Sequence, residues 1–210
     1  MTGLSSAPST VTPGTVHIVD DDEAIRDSLL WLFQSRSVAA HAWASGEAFL
    51  DAYHPDMAGC ILLDIRMDGM TGPELFDALL ARGCRLPVIF LTGHGDVPAA
   101  VAALKKGAMD FMEKPCDDNA LVDRVIEALA HDAEQRARTA GQATLAARLA
   151  TLTQRERQVM ELVVAGKLNK VIADDLGISM RTVEVHRAHV FEKMGVKTAV
   201  ELARLLVSAP

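Results

Sequence analysis

The chain has 210 residues and a mass of 22.6 kDa, and half of its residues are hydrophobic, so it is long enough for two domains with separate cores. It contains no run of about 18 apolar residues, and its start lacks the basic flank and apolar centre of a signal peptide; we therefore expect a cytoplasmic protein without a membrane partner. The net charge is −7 overall but +2 over residues 151–210, which places any contact with a polyanion at the C-terminal end.

The first 130 residues alternate between short apolar runs and amphipathic stretches. Residues 1–15, rich in Ser, Thr, Pro and Gly, predict a flexible leader. The apolar runs that follow predict five strands, near residues 16–20, 38–43, 59–64, 87–92 and 111–113. Helical spacing predicts helices near residues 23–33, 45–53, 73–81 and 97–106, and another that begins near residue 118. This alternation indicates an α/β fold with a doubly wound, five-stranded parallel sheet.

The pattern changes after residue 130. Residues 131–151, rich in Ala, Arg and Gln, predict a helical linker in which Gly141 is a candidate hinge. Strand signals are absent beyond it, and four short helices are predicted, near residues 154–165, 169–176, 179–194 and 198–207. We therefore expect an α/β domain over residues 16–130 and an all-α domain over residues 152–210.

Four of the predicted strands end in polar residues of the kinds that phosphoryl transfer uses. The runs are VHIVDDD, which ends at Asp20 to Asp22, CILLD at Asp64, PVIFLT at Thr92 and FMEK at Lys114. The carboxyl ends of parallel strands meet at one edge of the sheet, so these side chains should form one site. Taken singly, the acidic run could start a solvated helix, Asp64 could be a turn residue and Lys114 a surface charge. Their joint occurrence favours the site.

The acidic residues of this site predict a metal ion. Carboxylates crowded at one point repel each other unless a cation lies among them. Mg²⁺ takes oxygen ligands, keeps several waters and is often completed by a phosphate. We expect Asp21, Asp64 and the Arg66 carbonyl to bind Mg²⁺, with Asp20 as a ligand directly or through water. Asp64 is then placed to attack a phosphoryl donor and to carry an aspartyl phosphate.

Two further residues complete the predicted chemistry. Lys114 would supply a point charge for the phosphate oxygens, and Thr92 a hydroxyl that moves toward them. With these motifs, residues 16–130 resemble the receiver domain of a two-component response regulator, which has a CheY-like, flavodoxin-like fold. The segment LTGHGDVPAAVAALKKGAMDFMEKP is particularly similar to the FixJ type.

The resemblance implies a role for each residue of the site, and a sensor histidine kinase as the phosphoryl donor. By this likeness Asp64 is the phosphoacceptor, Asp20 and Asp21 are the acid pair, Thr92 and Phe111 are the switch residues, and Lys114 is the pocket lysine, followed by a cis bond to Pro115. The chain departs from the family at two positions, with Asp68 where Pro is usual and Cys116 where Phe is usual. Asp68 adds negative charge and removes a restraint on the loop.

The phosphate is expected to change a nearby surface. Thr92 follows the phosphate inward and leaves a gap into which Phe111 rotates, which alters the face formed by residues 97–106 and 111–113. We expect this face to pair with its copy, giving a homodimer on phosphorylation. Arg66 and His94 flank the path of an attacking water and are expected to set the lifetime of the phosphate.

The C-terminal segment ADDLGISMRTVEVHRAHVFEKMGV predicts a helix, a tight turn at Gly177, an N-cap at Ser179 and a second helix. Four residues of the second helix, namely Val183, His186, Val190 and Met194, have the spacing of a core-facing stripe. Another face carries Arg181, Glu184, Val185 and Ala188, with small or polar side chains that suit a DNA major groove. From spacing alone, a helical hairpin for protein contact remains open.

A second resemblance covers nearly all of residues 151–208. The sequence from LTQRERQVMELVVAGKLNK to MGV is similar to the LuxR-type four-helix DNA-binding domain. The likeness implies that Glu184, Val185 and Ala188 face bases, and that Lys170, Thr182, His186, Arg187 and Lys193 hold the DNA backbone, with Arg181 beside them. Glu184 could accept from a cytosine amino group. The implied protein is a transcription regulator that binds double-stranded promoter DNA, with RNA polymerase as a further candidate partner. Activator and repressor both stay open, and the likeness leans toward an activator.

Two rival functions use the same features. The first is a phosphatase or phosphotransferase enzyme built on the same Asp and Mg²⁺ chemistry, but Asp64 is followed by Ile65 and Arg66 and lacks a second carboxylate two residues on to act as general acid. We therefore expect no multiple-turnover enzyme. The second rival is a receiver that acts by binding a partner, with a DNA-binding domain that is always active.

Overall fold

The computed structural model describes residues 14–93 and 97–207, which divide into two compact units between Arg136 and Ala137. The described part leaves out most of the predicted leader and residues 208–210. It also leaves out His94, which was expected to help set the lifetime of the phosphate. No helix within the described residues is long and apolar enough to cross a membrane.

The first unit is built on a five-stranded parallel sheet, as predicted. Its elements are β1 (Thr15–Val19), α1 (Glu23–Ser35), β2 (Ala40–Trp43), α2 (Gly46–Ala52), β3 (Gly59–Asp64), α3 (Gly72–Ala81), β4 (Val88–Thr92), α4 (Val97–Lys105), β5 (Asp110–Glu113) and α5 (Asp118–Ala150). The strand order is β2-β1-β3-β4-β5, and every neighbouring pair is parallel. The chain therefore reverses its winding direction beside β1, and a ligand site is expected at that switch point.

Strand residues alternate between two cores, one on each face of the sheet. On one face Ile61, Leu63 and Phe90 pack against α2, α3 and α4. On the other face Leu62 and Ile89 pack against α1 and α5. Because β3 and β4 are buried on both sides, they are continuous apolar runs whose polar residues, Asp64 and Thr92, stand at their ends. The central strand β1 differs, because it buries the polar His17 in its middle.

Helix α5 continues without a break through the predicted linker and the candidate hinge Gly141 to Ala150. Near its middle, the buried carboxylate of Asp132 accepts the backbone N–H of Gly59 at 2.9 Å and pairs with Arg136 Nε at 2.7 Å. These contacts fix this part of the helix to the start of β3.

The second unit is all-α and consists of the end of α5 followed by α6 (Gln154–Val164), α7 (Asn169–Leu176), α8 (Met180–Met194) and α9 (Ala199–Val207). Its core joins Leu145 of α5 to buried residues of all four helices. Gly177, with φ of +64°, ends α7, and Ser179 caps α8 by accepting the Thr182 N–H at 3.1 Å. This helix, turn and helix follow the sequence prediction.

The buried histidine on β1, His17, should make the stability of the first unit depend on pH. Its side chain packs against Trp43 and Phe49, and burial, with a smaller effect from His41, lowers the pKa of His17 to about 4. The unfolded state therefore binds this proton more readily, so stability is full above the unfolded pKa near 6.5 and falls as the pH drops toward 4. The loss between pH 7.5 and pH 5 should be about 2 kcal/mol.

Urea unfolding followed by tryptophan fluorescence measures this effect in the first unit alone, because Trp31 and Trp43 are the chain's two tryptophans. His17→Phe should flatten the pH dependence, whereas the same change at the exposed His131 should leave it as it is. Parallel curves for the parent and His17→Phe would contradict the assignment.

Candidate functional site

Three of the predicted residues meet at the carboxyl edge of the sheet, at the switch point. Asp20 follows β1, Asp64 ends β3, and the exposed fractions of these residues are only 2% and 7%. Lys114, which follows β5 and forms a cis bond to Pro115, places its Nζ 2.7 Å from Asp20 Oδ2 and 2.5 Å from Asp64 Oδ1. One ammonium group therefore bridges two buried carboxylates.

Burial and neighbouring charges shift the pKa values of Asp64 and Lys114. Burial raises the pKa of Asp64, while the hydrogen bond and positive charge of Lys114 oppose the rise and the nearby Asp20 adds to it. Burial alone would lower the pKa of Lys114, but its bonds to the two carboxylates outweigh burial and raise it. Lys114 therefore stays charged at neutral pH and supports an ionised Asp64, the form that can attack phosphorus.

The three consecutive aspartates have different partners. Asp20 faces Lys114, Asp21 Oδ2 accepts the Asp68 N–H at 2.7 Å, and Asp22 caps α1 by accepting the Ala24 N–H at 2.9 Å. Asp22 therefore starts a helix, whereas Asp20 and Asp21 belong to the site.

The carboxylate oxygens at this edge of the sheet are of the kind that Mg²⁺ binds. Within residues 14–93 and 97–207, no three Asp, Glu, His or Cys side chains gather as a metal-binding group. Mg²⁺ does not require three, because it commonly takes one or two carboxylates and completes its shell with waters and phosphate oxygens. Asp20 and Asp64, which already face the same cation, supply the hard oxygens that it prefers.

The candidate switch residues occupy neighbouring strands. Thr92 ends β4, is fully buried, and donates its hydroxyl to the Gly93 carbonyl at 3.1 Å rather than to Asp64. Phe111 on β5 pairs with Phe90 in the sheet and is half-buried against the core that contains α4. Both residues therefore stand on strands that contact α4.

The loop after Asp64 closes tightly over the site. Arg66 donates its backbone N–H to Asp64 Oδ2 at 2.8 Å. At the start of α3, a Cβ on Gly72 would lie 2.1 Å from the Asp64 carbonyl oxygen. Glu47 on α2, which was not among the expected residues, accepts the Met70 N–H at 2.8 Å. The sequence signal for Glu47 is weak, because a Glu in the first turn of a helix is common for reasons of helix stability alone.

The predicted DNA-facing residues of α8 lie on one exposed face. Arg181, Glu184, Val185 and Ala188 are exposed there, and Lys170 is exposed on α7. The predicted core stripe is buried at Val183, Val190 and Met194, while His186 is only half-buried. Thr182 is also half-buried, and its hydroxyl lies 2.8 Å from Ser179 Oγ.

Two basic residues of α8 make internal contacts that sequence reasoning missed. Arg187 donates from Nη1 to Asn169 Oδ1 at 2.6 Å, and its guanidinium carbon lies 5.5 Å from the centre of the Phe191 ring. Lys193 places Nζ 2.6 Å from Glu156 Oε2 and 3.1 Å from the Thr151 carbonyl oxygen. Each of these basic groups therefore helps to hold α8 on its neighbours, in addition to any phosphate contact.

The ion pair between Lys193 and Glu156 should stabilise the second unit. The Glu156 carboxylate is largely buried, and the hydrogen bond from Lys193, followed by that from the Thr153 N–H, lowers the pKa of Glu156 to about 2. Removing the lysine takes away the ammonium group of this pair and leaves the carboxylate with the His189 imidazole, whose Nδ1 lies 3.6 Å from Glu156 Oε1, which is costly.

We expect Lys193→Ala to lower the melting temperature of the second unit, as measured by circular dichroism. The salt slope of DNA binding should hardly change. The neighbouring exposed Lys197→Ala is the matched control and should melt like the parent. A lower salt slope with unchanged melting would instead assign Lys193 to a DNA phosphate.

Comparisons with known proteins cover both units. The family model of the response regulator receiver domain matches residues 16–126, and that of the bacterial regulatory proteins of the luxR family matches residues 150–206. The C4-dicarboxylate transport transcriptional regulatory protein DctR of Rhodobacter capsulatus is 52% identical over 193 residues, which is 91% of this chain and 98% of DctR.

Two further matches run over nearly the whole length. The transcriptional regulatory protein FixJ of Azorhizobium caulinodans is 50% identical over 194 residues, 92% of either chain. A solved structure of the response regulator StyR is 38% identical and matches with a TM-score of 0.86, covering 93% of this chain and 99% of that one.

Proposed function

The chain belongs to the two-component response regulators of the FixJ type, with a receiver domain and a luxR-family DNA-binding domain, and on that premise we propose that Asp64 is the residue that a partner histidine kinase phosphorylates. A protein of this family is a transcriptional regulator and not a multiple-turnover enzyme. Its partners are therefore a kinase and double-stranded DNA.

The placement of Lys114 between Asp20 and Asp64 carries the proposal. An oxygen of Asp64 attacks the phosphorus, a bond from phosphorus to the donor's leaving atom breaks, and an acyl phosphate forms. Lys114 is close enough to remain beside the new phosphoryl oxygens and to offset their charge.

We propose Mg²⁺ as the cofactor of this step, with Asp20, Asp21, Asp64 and the Arg66 carbonyl as the groups that would hold it. Bound there, the ion would supply positive charge for the phosphoryl oxygens. Lys114 holds the carboxylate of Asp20 in place, and the Asp68 N–H holds that of Asp21.

The output is proposed to be dimerisation followed by promoter binding. Thr92 and Phe111, on the two strands that contact α4, would pass the change to the face of residues 97–106 and 111–113, where the exposed Val101 is available for a partner copy. Moving such an equilibrium from 1:99 to 99:1 takes about 5.5 kcal/mol of preference for the active state, so several new contacts are needed.

We propose the following division of labour along the chain. Residues 16–130 receive the phosphate, residues 131–151 connect, and residues 152–210 read DNA. Toward phosphates we place Lys170, Arg181, Thr182, His186 and Arg187, and toward bases Glu184, Val185 and Ala188. The likeness places Lys193 toward a phosphate as well, and its bond to Glu156 is the alternative that the Lys193→Ala experiment tests. A dimer would place two α8 helices on half-sites about one DNA turn apart. RNA polymerase is the candidate partner at the promoter, where the protein acts as an activator in the cytoplasm.

Incubation with Mg²⁺ and acetyl phosphate tests the proposal. Intact-protein mass and light scattering should show one phosphate per chain and a doubled molar mass. Phosphate without a mass change would overturn dimerisation and leave release of the DNA-binding domain as the output. Equal affinity with and without phosphodonor, measured on a DNA site selected from random sequence, would favour a DNA-binding domain that is always active.

A further inference from the structure

The loop between β3 and α3, residues 65–71, is held by a row of carboxylates. The side chains of Ile65 and Met67 are buried in the core. The backbone N–H groups of Arg66, Asp68 and Met70 donate to the carboxylates of Asp64, Asp21 and Glu47 at 2.8, 2.7 and 2.8 Å. The acceptors lie at the end of β3, in the turn between β1 and α1, and on α2, so the loop is bound to three separate parts of the first unit.

We propose that Glu47 is a positioning residue for this loop, and that its bond to the Met70 N–H keeps Asp64 and the Arg66 carbonyl in the geometry that phosphoryl transfer needs. The inference rests on the proposed function only in taking Asp64 as the phosphoacceptor. The hydrogen bonds themselves do not depend on it.

Helix α2 gives Glu47 a rigid support. Phe49 and Leu50, the following core residues of α2, are buried, and Ser45 caps the helix by accepting the Ala48 N–H at 3.2 Å. Glu47 lies in the first turn, where its own backbone N–H and then the Met70 N–H lower the pKa of its carboxyl. The acceptor is therefore ionised at neutral pH, and it stands on a helix that its buried residues attach to the core.

The path of the loop also depends on this carboxylate. Gly69 has φ of +76°, and a Cβ at this position would lie 2.8 Å from Glu47 Oε1. The backbone at Gly69 therefore runs close to the Glu47 carboxylate, and an added side chain there would have to displace that carboxylate. Immediately afterwards Thr71 caps α3 through a reciprocal pair of bonds with Glu74. Glu47 therefore fixes the turn that joins the phosphoacceptor to α3.

The bond at Glu47 is independent of the metal site, whereas the bond at Asp21 is not. Asp21 is a candidate Mg²⁺ ligand and at the same time accepts the Asp68 N–H. A proline at position 68, as the family resemblance would have it, could not donate this bond and would restrain the loop by its ring instead. With Asp68 present, Glu47 restrains the loop whether or not an ion occupies Asp21.

Hydrogen exchange of the metal-free full chain tests the loop bond. Glu47→Ala removes the acceptor, Glu47→Gln keeps a carbonyl oxygen in the same place, and Asp51→Ala removes an exposed carboxylate from the same helix. Exchange over residues 66–72 should be about fivefold faster in Glu47→Ala, close to the parent in Glu47→Gln and unchanged in Asp51→Ala. The core amides of β3 serve as an internal reference, so that a general loss of stability is separated from local loosening.

The second readout is the rate of phosphorylation by acetyl phosphate at saturating Mg²⁺. Glu47→Ala should be slower by about fivefold, and Glu47→Gln should recover most of the rate. Unchanged exchange in Glu47→Ala would overturn the loop bond, and faster exchange with an unchanged rate would overturn the positioning role. A parent protein that takes no phosphate at all would overturn the proposed function instead, and faster exchange in Glu47→Ala would still be seen.

Discussion

Replacing Asp64 with Asn is expected to abolish phosphorylation by acetyl phosphate, a loss of roughly a thousandfold or more, as is typical when a nucleophile is removed. The amide lacks the anionic oxygen that attacks phosphorus. The side-chain volume hardly changes, and the amide oxygen can still accept from Lys114, so the variant should fold. The measurement is the mass of the intact protein after incubation with Mg²⁺ and donor, with molar mass by light scattering alongside.

Asp68→Asn is the matched control for this experiment. Asp68 lies in the same loop as Asp64, but its side chain is exposed and its bond to Asp21 uses the backbone N–H, which the substitution keeps. This variant should be phosphorylated nearly as fast as the parent. A labelled Asp64→Asn protein, or one that still doubles its mass with donor, would contradict the assignment of Asp64 as the switch.

The second large effect is expected at Arg187, where Ala should weaken binding to every DNA sequence by about tenfold and lower the salt slope by about one. Fluorescence anisotropy over a series of salt concentrations, on a selected site and on unrelated DNA, measures both quantities. Arg187 also holds Asn169 and Phe191 within the protein. Weaker binding at an unchanged slope would therefore mean that Arg187 only supports α8.

Glu184→Ala should change which sequence is preferred rather than the affinity for DNA in general. Its carboxylate is exposed on α8 and can accept only from a donor such as the cytosine amino group. Glu192, another exposed carboxylate on the same helix, provides the matched control, and its loss should leave the preference unchanged. A uniform loss of affinity from Glu184→Ala would show that Glu184 reads no base.

The sheet and its site could be predicted because parallel strands impose their geometry on the sequence. Strands β3 and β4 are buried on both faces and are apolar up to their ends, where Asp64 and Thr92 stand, and Lys114 directly follows the edge strand β5. The ends of such strands share one edge, which is why residues 50 positions apart, Asp64 and Lys114, were expected to meet and do meet.

The internal partners of the charged residues were not predictable in the same way. Lys193 pairs with Glu156, 37 residues earlier, and Arg187 pairs with Asn169 on another helix. Periodicity identifies the face of a helix on which a residue lies, but not which long side chain of a neighbouring helix reaches it. The basic residues of α8 were therefore all assigned to DNA, and Glu47 was overlooked because its partner is a backbone N–H.

Helix α5 shows the same limit. The Ala-rich segment predicted a helical linker, and Gly141, which costs about 1 kcal/mol relative to Ala in a helix, was a reasonable candidate for a hinge. The structure continues the helix through Gly141, while Asp132 joins it to the N–H of Gly59, a contact between residues 73 positions apart. A hinge at Gly141 stays a prediction.

The close approach of Gly72 to Asp64 has an evolutionary consequence. Because a Cβ at position 72 would lie 2.1 Å from the Asp64 carbonyl oxygen, any other residue there must displace either the start of α3 or the end of β3. Selection for Asp64 at the end of β3 therefore also selects for glycine at position 72. Among random variants selected for signalling, we expect position 72 to accept as few alternatives as position 64.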